Sequence, residues 1–233
     1  MQFGTAQGPA PKISCMQGSR TLRKISLGLG LPLAFLLFTT QAHAHHALGG
    51  KLPIGFGEGL LSGLAHPVIE ADHLAFVLAV GVLTAVAQGG FRLPVWFVGG
   101  TVFGCLLNAG SLHLQPAGWM VPLSALLIGG YLAWGRDSAD GRWHKWLFLI
   151  AGALHGLAYS QAIIGSENNS LQGYLLGFAI VQTMVAWAAM LAAYWFWRGD
   201  RLYANARVFG GVLAGVGLTA LYQAGVASLL PIV

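Results

Sequence analysis

Charge is what this sequence has least of. Only 8% of its 233 residues are charged, with 12 Lys and Arg and 7 Asp and Glu, against about 25% in an ordinary soluble domain. A chain this poor in charge and 56% hydrophobic cannot dress a globular surface with solvated groups, so its long apolar runs read as membrane spans. Cysteine is nearly absent. Cys15 lies in a leader-like segment and Cys105 in an apolar run, which excludes a disulfide scaffold in the mature chain. Cys105 reads as a small core residue, with a soft metal ligand as the sharper alternative. There is no G-x-S-x-G turn and no phosphate loop, and no basic patch interleaved with aromatics, so nucleic acid is not an expected partner. No enzymatic activity is expected.

The formal net charge of +5 has a local origin. Lys12, Arg20, Arg23 and Lys24 precede the first apolar run, and without them eight basic residues face seven acidic ones. Arg20 to Lys24, the apolar run 25–38 and the small-residue end Ala42-His43-Ala44 have the three parts of a secretory signal. Cleavage is expected after Ala44, or alternatively after Ala42. The division that follows is a leader over 1–44, a short extracytoplasmic segment over 45–65 and a membrane domain over 66–233. Six spans are predicted at about 66–88, 92–114, 117–134, 145–165, 171–197 and 208–231. Arg92, Arg136, Arg142, Lys145, Arg198, Arg201 and Arg207 all fall on alternate connections, with only Lys51 opposite. Basic residues stay on the cytoplasmic side, so both mature termini are expected outside an inner-membrane protein. The fold class expected is therefore an all-α integral membrane protein with six transmembrane helices after a cleaved signal peptide.

Glycine is abundant, at 34 residues. Gly100/Gly104, Gly152/Gly156, Gly173/Gly177 and Gly211/Gly215 give four Gly-xxx-Gly pairs, spacing that lets helix backbones approach closely within a chain or between copies in a homo-oligomer. Gly63-x-x-His66 and Gly152-x-x-His155 open matching halves, which suggests a 3+3 inverted repeat of the kind found in secondary transporters.

The chemistry concentrates in Gly63-Leu-Ala-His66-Pro67-Val-Ile-Glu70-Ala-Asp72-His73. With Pro67 in its first turn, one helix is expected from His66 to about Gln88. On it His66, Glu70 and His73 form a stripe, spaced four and three apart. Ionisable groups inside a span cost roughly 2.5–3.5 kcal/mol each, so two imidazoles and two carboxylates in eight residues are hard to explain as packing. Mixed imidazole and carboxylate ligands suit nickel, cobalt and zinc; a proton relay without metal is the plainer alternative. His66 is expected at the outer mouth, with His73 about 10 Å deeper at the helical rise. His155 in the fourth span is a further candidate ligand. His113, Glu167 and the mature-terminal His45 and His46 are weaker ones. Asn108 and Gln182 read as interhelical hydrogen-bond partners.

His66-Pro67-x4-Asp72-His73, followed by Leu74-Ala-Phe-x3-Val80-Gly81, resembles the signature of the HupE/UreJ family of membrane proteins. The resemblance implies a permease for nickel, in some cases cobalt, serving hydrogenase or urease systems. The metal would be cargo, and no tightly bound cofactor is expected. The family often has Gly at position 70. Its fourth-helix pattern, His-Gly-x-Ala-His-Gly-x-Glu, carries over only at His155, Gly156 and Ala158, with Tyr159 and Ala162 in place of the second His and the Glu. Glu70 is then a candidate replacement ligand. A membrane-embedded zinc hydrolase using His66, His73 and His155, and an accessory protein that delivers metal, are the rival readings.

Overall fold

The computed structural model describes residues 51–112, 118–135 and 142–229. The expected leader and its cleavage point, His45, His46 and His113 lie outside the described residues. Among the described residues every regular element is helical. Helix α1 spans Gly55–Ile69 and α2 Ala71–Val86. Helix α3 (Leu93–Leu107) continues as a wider π turn over Asn108–Leu112, and α4 spans Met120–Trp134. Helix α5 (Arg142–Tyr159) tightens into a 3-10 turn at Ser160–Ala162, before α6 (Asn168–Phe196) and α7 (Asp200–Leu229).

The first expected span is where sequence and structure part. One helix from His66 is replaced by two that meet at 79°, joined by Glu70 in extended conformation (φ −87, ψ 114). Pro67 lies inside α1 rather than at its start. It has no N–H to give, and its ring crowds the carbonyl four residues back, which weakens the helix just ahead of the break. The stretch before it, with Gly55, Gly57, Gly59 and Gly63, has poor helix propensity and reads as a loop. Packing overrides propensity there. A Cβ on Gly59 would meet the Ser170 carbonyl, and one on Gly63 the Tyr174 carbonyl. The contact is reciprocal, with Gly173 against the Phe56 carbonyl and Gly177 against that of Leu60. Backbones this close give α1 enough dispersion contact with α6 to form despite its glycines.

The same device joins α3 to α5. Gly100 and Gly104 face the Leu149 and Ala153 carbonyls, while Gly152 and Gly156 face those of Phe97 and Thr101. In both pairs residue numbers rise together along the seam, so the helices run parallel. In the third pair they run antiparallel, with Gly129 against Ala214 and Gly217 against Leu126. Three of the four Gly-xxx-Gly pairs read from sequence are therefore seams within the chain. Gly211 and Gly215 meet nothing within 4 Å among the described residues.

Helix α2 packs on α6, α7 and α4, and Phe76, Ala79, Val80, Leu83 and Ala85 on it are at most 1% exposed. Helices apolar on every face belong in an interior. Among the described residues, three stretches suffice by length and composition to cross a membrane: Leu93–Gly110, Asn168–Phe196 and Asp200–Val226. The bent pair α1 and α2 makes a fourth if it counts as one span, and α4 is apolar but shorter.

Candidate metal centre

The break at Glu70 sets up the site. It leaves Glu70 at the N-cap of α2 and Asp72 in the first turn, where the exposed N–H groups and the helix dipole favour negative charge. Asp72 Oδ1 accepts the backbone N–H of His73 at 2.9 Å. The imidazole of His73 then turns back on the carboxylates, with Nδ1 in an ion pair with Glu70 Oε2 and 3.5 Å from Asp72 Oδ1. Glu70, Asp72 and His73 each offer one ligand atom within 4.8 Å of the others. From the last turn of α1, His66 brings Nε2 to 3.9 Å from Glu70 Oε1, and its ring lies 6.0 Å from that of His73. The stripe expected on one helix is thus assembled by two.

His155 arrives from α5, its ring 5.6 Å from that of His73. It is fully buried. Its Nδ1 is 3.0 Å from the Ala151 carbonyl, which can only accept, so Nδ1 carries the hydrogen and neutral Nε2 keeps its lone pair. Among the described residues that Nε2 is buried without a hydrogen-bond partner, as is Nε2 of His73. Both rings are therefore held at Nδ1, one by a carbonyl and one by a carboxylate, and present a bare nitrogen. Ligating histidines are commonly oriented in this way. Side-chain exposure falls from 27% at Asp72 and 25% at Glu70 through 14% at His66 to 7% at His73, grading from accessible carboxylates to buried imidazoles.

Aromatic rings wall the group. Tyr159 lies 4.4 Å from His73 and 5.3 Å from His66 between ring centres, and Phe76 lies 4.2 Å from His155. Behind Tyr159, Gln182 Nε2 donates to its hydroxyl at 3.1 Å, and the Thr101 hydroxyl lies 3.0 Å from Gln182 Oε1. Tyr174 donates to the Tyr159 carbonyl at 3.2 Å, and Asn108 donates to Ser160 Oγ at 2.7 Å.

Along α6 the group spans several turns: His66 lies 6.0 Å from Tyr174, the seventh of the 29 residues of α6 and about 9 Å from its start, while Gln182 behind Tyr159 is the fifteenth. Helix α1 begins at Gly55 and runs about 16 Å ahead of His66. Sequence reading therefore located His66, Glu70, Asp72, His73 and His155, which come together. It also included Glu167, which is exposed ahead of α6 and outside the group. It missed Tyr159 as a wall, although the four-residue step from His155 puts both on one helix face. Tyr174 carries no local signal at all.

The HupE / UreJ protein family model matches residues 33–220. The chain belongs to the HupE/UreJ family. No curated protein and no solved structure matches it. Membership makes this a membrane protein of a transport and accessory family, with a nickel or cobalt role in hydrogenase or urease systems.

Proposed function

We propose that this HupE/UreJ protein is a secondary permease that carries a divalent transition-metal ion inward, nickel first and cobalt second. His73 and His155 would supply the inner ligands, and His66, Asp72 and Glu70 the outer ones. The observation that carries this is the pair of buried Nε2 atoms on His73 and His155 with no hydrogen-bond partner among the described residues, His73 being grouped with the carboxylates of Glu70 and Asp72 on a helix packed against α6, which is long enough to cross. Ligand sites of secondary transporters lie near the bilayer midplane at broken helices, and α1 and α2 are such a break.

In the same reading the domain crosses the inner membrane six times, with α1 and α2 as one span and both termini outside. The seams support this parity. Spans one and five, and two and four, run parallel, while three and six run antiparallel, as an alternating six-span chain requires. They also support two inverted halves. Exchanging α1 with α5 and α6 with α3 carries one double-glycine seam onto the other, and exchanging α4 with α7 carries the third onto itself. Association between copies through Gly-xxx-Gly falls to Gly211 and Gly215, the pair left uncovered. The test is radioactive nickel and cobalt uptake in a transport-deficient host, at matched membrane abundance. Wild-type protein should raise uptake and His73→Ala should remove the increase. Equal uptake with both would overturn the reading.

A further inference from the structure

We propose that Gln182, which is not among the candidate ligands, is the positioning residue of this centre and sets its coordination geometry through Tyr159. The inference rests on reading the cluster as a divalent-ion site. Gln182 comes from the middle of the longest apolar stretch and is fully buried, where an amide is retained only if its hydrogen bonds are met. Its two polar ends are used differently. Oε1 lies 3.0 Å from the Thr101 hydroxyl of α3, and Nε2 donates to the Tyr159 hydroxyl of α5 at 3.1 Å. The amide thus ties α3, α5 and α6 together at one level.

The link to the ion runs through the ring of Tyr159. His73 packs on it at 4.4 Å with 34° between planes, and His66 meets it edge-on at 5.3 Å. Those imidazoles come from the two sides of the break at Glu70, so no single helix holds them in register; the Glu70 carboxylate touches both from the more exposed side, and the Tyr159 ring supports both from within. Tyr159 itself is held at two points, its hydroxyl by Gln182 and its carbonyl by Tyr174. Because Gln182 donates to the phenol oxygen, it occupies a lone pair that would otherwise be open to a cation. Tyr159 is kept as a wall. Removing the amide donor frees the ring to tilt and takes His66 and His73 with it.

Cobalt(II) reads this directly, since its visible absorption bands change position and intensity with coordination number and geometry. The full chain, purified in detergent, is titrated with cobalt. The variants are Gln182→Leu, Tyr159→Phe, the double variant, and Thr84→Val. The last removes a buried hydroxyl bonded to the Val80 carbonyl, about three helical turns from His73. Gln182→Leu and Tyr159→Phe should shift the bands in the same way and weaken cobalt binding up to about tenfold, the range of one net hydrogen bond. The double variant should be no worse than either single one, because both break one link. Thr84→Val should leave the spectrum unchanged. Native bands and affinity in folded Gln182→Leu or Tyr159→Phe would overturn the proposal, and so would an equal shift in Thr84→Val. Wild-type protein without cobalt bands would remove the metal reading itself, a separable failure.

Discussion

At the scale of single residues, the centre is a set of side chains whose protonation and neighbours are already arranged. His155 is committed to one tautomer by the Ala151 carbonyl, so its substitution loses both a donor nitrogen and a buried hydrogen bond. His155→Ala should abolish uptake as fully as His73→Ala. Glu70 is different, because it contacts His73 and His66 from the more exposed side. Glu70→Gly should change the nickel-to-cobalt uptake ratio severalfold more than the amount of folded protein, and an unchanged ratio would show that Glu70 takes no part in ion choice. The sign with pH follows from the ligand chemistry. An imidazole binds metal only when neutral, and its ordinary pKa is about 6.5. Uptake should therefore fall as external pH drops through that range and hold above it, measured with fixed free metal. Uptake that stays level from pH 7.5 to about 5 would argue against imidazole ligands.

At the scale of helices, glycine seams do the work that hydrophobic burial does in water. Apolar side chains gain little by leaving lipid, so association depends on close backbone contact. Gly63 and Gly104 sit where an added Cβ would strike a carbonyl of the facing helix, whereas Gly99 meets nothing within 4 Å among the described residues. Gly63→Ala and Gly104→Ala should each lower stability by about 1–3 kcal/mol, the usual cost of overpacking. Gly99→Ala should be neutral or slightly stabilising, from helix propensity alone. Thermal unfolding in one detergent decides this. If all three melt together, the seams are not what hold these pairs. Gly63 has the added consequence of lying one turn before the site, so its variant should also weaken metal binding.

At the scale of the whole molecule, orientation is the testable claim. With Cys105→Ser as background, a cysteine at Arg201 should be labelled only after the cytoplasmic side is opened, and one at Asn168 from outside in intact cells. The reverse pattern would invert the topology and turn import into export. Leader removal has its own measurement. N-terminal sequencing of the purified protein should begin near His45, and a chain still carrying residues 20–44 would remove the cleaved-signal argument for that orientation.

The sequence by itself determined the helical class, the family and the five ligand candidates, four of them within eight residues, because these signals are local. Apolar run length, the cost of charge in lipid and the spacing of His66, Glu70, Asp72 and His73 can all be read within a few turns. Only the tertiary structure decided that the chain turns sharply at Glu70, and that helix continues for eleven residues before His66. A stretch with four glycines is helical only because α6 offers a backbone to lie against, a partner more than 100 residues away. The same long-range seams bring His155, Tyr159 and Gln182 to one level. No local periodicity encodes that meeting, since it depends on which glycines face which carbonyls across helices.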